Sequence, residues 1–146
     1  MANATVSQAM TTTPRSIESS ESVVQAARLM ASEDVGSLPV VEGDQLVGIV
    51  TDRDLVLQVL ARDLDPSKVT IAEVASENPV VAKPDEPLDA ALQRMAQEQV
   101  RRLPVVDGGR LVGILAQADV AREARPASTG EMVEQISQEG GSASSA

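Results

Sequence analysis

Thr51 and Asp54 have residue types and a spacing that fit the binding of a small molecule. They stand three residues apart and directly follow the apolar run Leu46–Val50. A carboxylate such as that of Asp54 can accept hydrogen bonds from both hydroxyls of a ribose. The same Thr-x-x-Asp spacing at the start of a helix is also close to a capping box with Thr51 as the N-cap residue. The two residues alone support both interpretations equally.

Arg101 and Arg102 form a second candidate feature, immediately before Leu103 and Pro104. Phosphate groups are bound by cationic side chains, and a local arginine pair could supply them in an otherwise acidic chain. Two adjacent arginines are also typical of a solvated strand edge that discourages pairing with another chain. Both interpretations stay open at this point.

The composition excludes much enzyme chemistry. With no cysteine and no histidine, the chain cannot form a thiolate nucleophile, a His-dependent triad, or a zinc site with nitrogen or sulfur ligands. It contains no G-x-G-x-x-G or Walker-type loop, so it lacks the usual means of hydrolysing nucleotides. We therefore expect no catalytic residues, no metal site and no enzymatic activity.

Charge and aromatic content narrow the range of partners. The formal net charge is -10 and there is no Phe, Trp or Tyr, so nucleic acid is a disfavoured ligand. Any bound base must be sandwiched by aliphatic side chains and backbone. The N-terminus does not resemble a signal peptide and no apolar run is long enough to span a bilayer. We expect a soluble, cytoplasmic protein with no membrane partner.

An internal repeat organises the chain. A shift of 65 positions aligns Leu38–Val41 with Leu103–Val106 and Leu46–Ile49 with Leu111–Ile114 without a gap. Further identical pairs are Pro14 and Pro79, Glu21 and Glu86, Ala26 and Ala91, Met30 and Met95, Gly43 and Gly108, and Asp54 and Asp119. A duplicated supersecondary unit explains this pattern.

Each copy has the pattern β-α-β-β-α. Short extended segments, Arg15–Ile17 and Val80–Ala82, precede helices with predicted N-caps at Ser20 and Asp85 and with Glu21 and Glu86 in the first turn. The buried helix faces are predicted at positions i, i+3, i+4 and i+7. These positions are Val23, Ala26, Ala27 and Met30 in the first copy and Leu88, Ala91, Leu92 and Met95 in the second.

A hairpin and a second helix complete each copy. The hairpin of the first copy pairs Leu38–Val41 with Leu46–Val50. Its second helix starts near Asp52, with Leu55, Val56, Val59 and Leu60 on the buried side, and Val120 marks the counterpart. One copy alone would be marginally stable, so two copies must shield one another. We predict repeats at 1–64 and 65–125, a connecting helix within Val69–Ala75, and a flexible tail at 126–146.

From Val6 to about Arg125, the chain resembles a tandem pair of CBS (cystathionine-beta-synthase type) repeats. The resemblance rests on Pro14, the Leu38–Val41 strand and the motif Gly48–Asp54, with their counterparts in the second copy. It implies an α/β (α+β) fold in which two repeats pack with pseudo-twofold symmetry and form two clefts. The chain also resembles the small stand-alone CBS-pair proteins of bacteria, some of which are linked to stress or dormancy. CBS-pair modules usually dimerise.

The resemblance also implies a ligand and a set of site residues. Family members commonly bind AMP, ADP, ATP or S-adenosylmethionine in the clefts. Asp54 stands at the position that contacts the ribose in the family. Thr51 is implied to assist it at the ribose and the nearby phosphate, and Ile49 is implied to lie against the base. The resemblance implies that Arg101 and Arg102 reach the phosphates. It also implies that the backbone near Val80 contacts the base.

The second cleft departs from this pattern. Ile114 and Asp119 hold the matching positions, but Ala116 stands in place of Thr51, and Gly36-Ser37 in place of the arginine pair. We therefore predict one competent cleft and one weakened or empty cleft. The alternative role of Asp119 is to favour the N-terminus of its helix.

Two functions fit the sequence. The first is a homodimeric sensor of an adenosyl compound that regulates an unidentified protein. The second is an interaction module that keeps the fold but has vestigial clefts.

Overall fold

The computed structural model describes residues 4–123, with side chains described through Val120. It confirms a mixed α and β fold. The elements are α1 (Val6–Ala9), β1 (Ile17–Glu18), α2 (Val23–Glu33), β2 (Ser37–Glu42), β3 (Gln45–Thr51), α3 (Asp52–Leu55), α4 (Ile71–Val74), α5 (Leu88–Glu98), β4 (Arg102–Asp107), β5 (Arg110–Ala116) and α6 (Gln117–Glu123). A π-helical turn, Val56–Leu60, continues α3, and a 3-10 turn, Pro66–Lys68, precedes α4.

The described residues form two compact units. Residues 15–79 make up the first-repeat unit, whereas residues 4–14 and 80–123 make up the second-repeat unit. The predicted boundaries at 1–64 and 65–125 describe the two copies in the sequence. The two units instead group the residues that pack together in the structure. The tail predicted at 126–146 lies outside the described residues. No helix in the described part of the chain is both long and apolar enough to cross a membrane.

The segment before each copy is bound by the other copy, through the same hydrogen bonds. In the second-repeat unit, the N–H of Val6 donates to the carbonyl of Glu86 (3.0 Å) and the N–H of Leu88 donates to that of Ala4 (3.0 Å). In the first-repeat unit, the N–H of Ile71 donates to Glu21 (2.8 Å) and the N–H of Val23 to Val69 (2.9 Å). These pairs match at the 65-residue shift, so the duplication extends into the segments that precede the repeats.

Both predicted hairpins are confirmed. Strands β2 and β3 are antiparallel with Leu38 opposite Val50, and β4 and β5 are antiparallel with Leu103 opposite Leu115. The preceding extended segments are shorter than predicted. In the first-repeat unit β1 pairs in parallel with β2 over two residues, and in the second-repeat unit the equivalent contact is a bridge between Ala82 and Val105.

The predicted helix starts were wrong by two residues. The N-cap residues are Ser22 and Pro87, not Ser20 and Asp85, and neither makes a side-chain cap. The connecting segments already supply acceptors for the first N–H groups of α2 and α5, so no capping side chain is needed there. As a result, Glu21 and Glu86 precede the helices and do not lie in their first turns.

The helix faces that build the core are largely as predicted. Val23, Ala26 and Met30 are buried on α2, but Ala27 is exposed, contrary to the prediction. Leu88, Ala91 and Met95 are buried on α5, and Leu92 is half-buried. In the second helix of the first copy, Val59 is buried but Val56 and Leu60 are 50% and 64% exposed, which contradicts the prediction. The N–H of Ala61 bonds to the carbonyl of Val56 five residues earlier. This wider turn moves residues three and four apart off a common face.

Glu86 instead forms an ion pair with Arg94 in the second-repeat unit. Arg94 Nη2 donates to Oε1 (2.7 Å) and Nη1 to Oε2 (3.0 Å), while the N–H of Lys83 also donates to Oε2 (2.7 Å). The Glu86 side chain is 15% exposed. Burial raises the pKa of Glu86, but the hydrogen bonds and charges of Arg94 and Lys83 outweigh it and hold that pKa below its ordinary value of 4.5.

We predict that Glu86→Gln lowers the free energy of unfolding at pH 7 by about 1–3 kcal/mol, because it leaves a partly buried guanidinium without its anion. The lowered pKa means that the wild-type advantage is complete above pH 4.5 and is lost as the pH falls through the pKa of the folded state. Urea unfolding at several pH values measures both effects. Glu98→Gln, at an exposed position of α5, is the control, and an equal loss in both variants would contradict the prediction.

Candidate functional site

Thr51 and Asp54 meet where β3 passes into α3. The backbone of Thr51 is extended (φ -120°, ψ 161°), and Thr51 is the N-cap residue. The N–H of Asp54 donates to Thr51 Oγ1 (3.1 Å), and the N–H of Thr51 donates to Asp54 Oδ2 (2.9 Å). The capping-box interpretation of this pair is therefore confirmed.

The cap uses only one oxygen of the Asp54 carboxylate. From the described part of the chain, no donor reaches the other oxygen, Oδ1. The Asp54 side chain is neither buried nor fully exposed. The cap thus holds the carboxylate through Oδ2, and an Oδ1 that accepts no hydrogen bond from the described residues is compatible with binding a hydroxyl group.

Ile49 lies on β3, two residues before Thr51, and is half-buried. Its N–H donates to the carbonyl of Ser76 (3.0 Å), and its carbonyl accepts from the N–H of Ser76 (2.8 Å). The chain comes this close because Gly48 has no side chain. A Cβ at that position would lie 2.6 Å from the Ser76 carbonyl oxygen. The first-repeat unit therefore brings Ile49, Thr51 and Asp54 onto one stretch of chain.

The second-repeat unit repeats this backbone without the threonine hydroxyl of the cap. Ile114 exchanges two hydrogen bonds with Thr11, at 2.9 and 3.0 Å, and Gly113 allows the same close approach. Ala116 ends β5 where Thr51 ends β3, and it has no hydroxyl with which to cap α6. Asp119 lies in the first turn of α6, as its alternative role at a helix N-terminus requires.

Arg101, Arg102 and Val80 also belong to the second-repeat unit. Arg102 begins β4 opposite Ala116 and is exposed, whereas Arg101 is half-buried and its carbonyl accepts from the N–H of Gln117 (2.9 Å). Val80 packs against the core of this unit. Since these residues and Asp54 lie in different units, their common role in one site stays a prediction.

Sequence reasoning missed Thr11 and Ser76, the residues that bond to the strands carrying Ile114 and Ile49. The signal was present, because the two residues are related by the 65-position shift, as are Gly48 and Gly113. A glycine inside an apolar strand often marks a close approach of another backbone.

Among the described residues, no group of three or more acidic side chains could hold a metal ion.

A family model described as "CBS domain" matches the chain twice, at residues 6–61 and 71–125. The chain is 41% identical over 116 residues to the CBS domain-containing protein YhcV of Bacillus subtilis, covering 80% of this chain and 82% of that protein. It is 40% identical over 103 residues to hypoxic response protein 1 of Mycobacterium tuberculosis, covering 70% and 72%.

Solved structures give the same result. Hypoxic response protein I with two coordinated zinc ions matches at a TM-score of 0.76 and 35% identity, covering 84% of this chain and 100% of that one. The complex of CBSX2 with AMP matches at a TM-score of 0.70 and 32% identity, and the match covers 81% of this chain and 93% of that chain. CBSX2 is a CBS-pair protein from Arabidopsis thaliana. The CBS domain pair of MJ0100 with 5-methylthioadenosine and S-adenosyl-L-methionine matches at a TM-score of 0.69 and 31% identity. The match covers 82% of this chain and 98% of that chain.

Proposed function

The chain belongs to the CBS domain family, and on this premise we propose that it is a non-catalytic regulatory protein that binds an adenosyl compound at Ile49, Thr51 and Asp54. The observation that carries the proposal is the Asp54 carboxylate, which is held by its cap through Oδ2 while Oδ1 is left as an acceptor. Because the cap already fixes this carboxylate, ligand binding loses little further side-chain conformational entropy.

The chemistry of the three residues fits a nucleoside. Oδ1 of Asp54 can accept from a ribose hydroxyl. Thr51 Oγ1 accepts the N–H of Asp54, so its own hydroxyl hydrogen can donate to a phosphate oxygen. Ile49 offers an aliphatic surface to a base, in a chain that has no aromatic residue to stack on it.

The ligands in the similar structures support this assignment. AMP is bound in the CBSX2 structure, and 5-methylthioadenosine and S-adenosyl-L-methionine in that of MJ0100. These compounds share adenine and a ribose diol and differ in the group at the 5′ carbon. A site that recognises the diol through a carboxylate would accept all of them, so the proposal names the adenosyl class rather than one compound.

The proposal includes regulation through a homodimer. A ligand can change the shape of the dimer only if it binds one conformation more tightly than another. Small-angle scattering with and without ligand would measure such a change. The alternative, an assembly module with vestigial clefts, predicts no ligand effect at all.

We expect millimolar AMP, ADP, ATP or S-adenosylmethionine to raise the melting temperature of the full chain, because a ligand that binds the folded state stabilises it. Differential scanning calorimetry is the appropriate measurement, since the chain has no Trp or Tyr for intrinsic fluorescence. Inorganic phosphate and free ribose serve as controls for the two halves of the ligand. If none of the four compounds shifts the transition, the assembly alternative replaces the proposal.

A further inference from the structure

An open groove, here called the β1–α2 groove, lies between β1 and α2 in the first-repeat unit. Its volume is about 530 Å³. Ser16 and Glu18 line it from the strand side, and Glu21, Arg28 and Leu29 line it from the helix side. The charged side chains of the lining are thus two carboxylates and one guanidinium group, a lining that fits a small polar molecule better than an apolar one.

In the second-repeat unit, the Arg94 side chain takes the equivalent place. Its Nη1 donates to the carbonyl of Val81 (2.9 Å) and to Glu86 Oε2 (3.0 Å), while Nη2 donates to Glu86 Oε1 (2.7 Å). The second copy therefore holds a guanidinium group with residues whose equivalents line the β1–α2 groove. The equivalences at the 65-position shift are Ser16 with Val81, Glu21 with Glu86, and Leu29 with Arg94.

The first copy keeps the anion of this pair without its cation. The turn that positions the glutamate is the same in both copies, since the N–H of Glu21 donates to the carbonyl of Glu18 (3.1 Å) and that of Glu86 to the carbonyl of Lys83 (3.3 Å). Leu29 supplies no charge and packs half-buried against the core of its unit. Among the described residues, no cation pairs with the exposed carboxylate of Glu21.

We propose that the β1–α2 groove binds a small guanidinium compound that carries a carboxylate at its other end, of which free arginine is the simplest. Its guanidinium group binds Glu21 through two parallel N–H···O bonds, the arrangement that Arg94 and Glu86 form in the second copy. Arg28, in the second turn of α2, binds the ligand carboxylate at the other end of the groove. The site shares no residue with the proposed adenosyl site.

Titration of the isotope-labelled full chain with L-arginine at low ionic strength, followed by heteronuclear NMR, tests this site. We expect saturable shifts of the amides at 16–32 with millimolar affinity, because ion pairs at an exposed site are weak. The equivalent amides at 81–97 should not shift, since Arg94 fills that place. L-citrulline is the matched control ligand, because it replaces the guanidinium group by an uncharged urea group of the same shape.

Two substitutions exchange the two copies. Leu29→Arg should pair with Glu21 as Arg94 pairs with Glu86, and should weaken arginine binding about tenfold, since it takes up the charged hydrogen bonds that the ligand needs. Arg94→Leu should open the second copy and add saturable shifts at 81–97.

Glu21→Gln and Arg28→Gln test the two ends of the groove without filling it. The first should weaken arginine binding about tenfold, because it replaces a charged acceptor by a neutral one, and the second several-fold. Arginine binding that survives both Leu29→Arg and Glu21→Gln would overturn the proposal. Citrulline binding as tight as that of arginine, or a wild-type chain without saturable shifts, would overturn it as well.

Discussion

We expect Asp54→Asn to abolish the rise in melting temperature that an adenosyl compound gives, and we expect the unliganded variant to melt near the wild-type temperature. Asparagine can keep the cap, because its carbonyl oxygen still accepts from the N–H of Thr51, the bond that Oδ2 makes in the wild type (2.9 Å). The amide group then replaces Oδ1, and an N–H₂ cannot accept from a ribose hydroxyl. The variant thus removes the proposed recognition without removing the helix cap.

The expected effect is large. A ligand at 100 times its dissociation constant stabilises the folded state by about 2.7 kcal/mol. For a chain of this size, that corresponds to a rise of about 8 °C. Calorimetry with saturating AMP or S-adenosylmethionine should record this rise in the wild type and almost none in Asp54→Asn.

Asp119→Asn is the matched control, because Asp119 is the repeat equivalent of Asp54. It lies at the start of α6, which follows Ala116 rather than a capping threonine. We expect this variant to keep most of the ligand-induced rise. Equal losses in the two variants would disprove the asymmetry between the copies, and a full rise in Asp54→Asn would remove Asp54 from the site.

Gly48→Ala is predicted to cost about 2–4 kcal/mol of unfolding free energy, because it combines overpacking with strained backbone hydrogen bonds. The new Cβ would lie 2.6 Å from the Ser76 carbonyl oxygen and 3.5 Å from its carbon. That oxygen accepts the N–H of Ile49, so it cannot retreat without breaking the pair. Urea unfolding followed by far-UV circular dichroism measures the loss.

Gly113→Ala and Gly43→Asn are the two comparison variants for Gly48→Ala: a similar loss of stability is expected in the first and almost none in the second. A Cβ at Gly113 would lie 2.8 Å from the Thr11 carbonyl oxygen and 2.6 Å from Met10 Sδ, so a similar loss is expected. Nothing lies within 4 Å of a Cβ at Gly43, whose φ is +67°, and asparagine tolerates that conformation. We expect Gly43→Asn to change stability by less than about 0.5 kcal/mol. A Gly48→Ala variant as stable as Gly43→Asn would mean that Ser76 is not held against Ile49.

Much of the fold could be read from local patterns. The 65-position repeat fixed two copies of one unit, and the alternation of apolar runs with turn residues such as Gly43 predicted both hairpins. The faces of α2 and α5 followed from the 3.6-residue period, because core burial along a regular helix depends only on spacing. The Thr51-x-x-Asp54 motif left a cap and ligand binding equally open, and the structure contains the cap.

Three features needed the folded chain. The starts of α2 and α5 were misplaced, because their first N–H groups bond to Val69 and Ala4, which are remote in sequence. Val56 and Leu60 were misassigned to the core, because the helix widens into a π turn at that point. The pairing of Ile49 with Ser76 was also missed, since no local pattern states which backbone will approach a glycine.

The sequence by itself therefore determined the duplication and the types of most elements, and it suggested the residues of the candidate site, because these follow from short-range spacing and side-chain chemistry. The tertiary structure decided which segments pair across the copies, where the helices begin and which oxygen of Asp54 stays available. Those features depend on hydrogen bonds between residues far apart in the chain, and backbone donors and acceptors carry no side-chain signature that would reveal their partners.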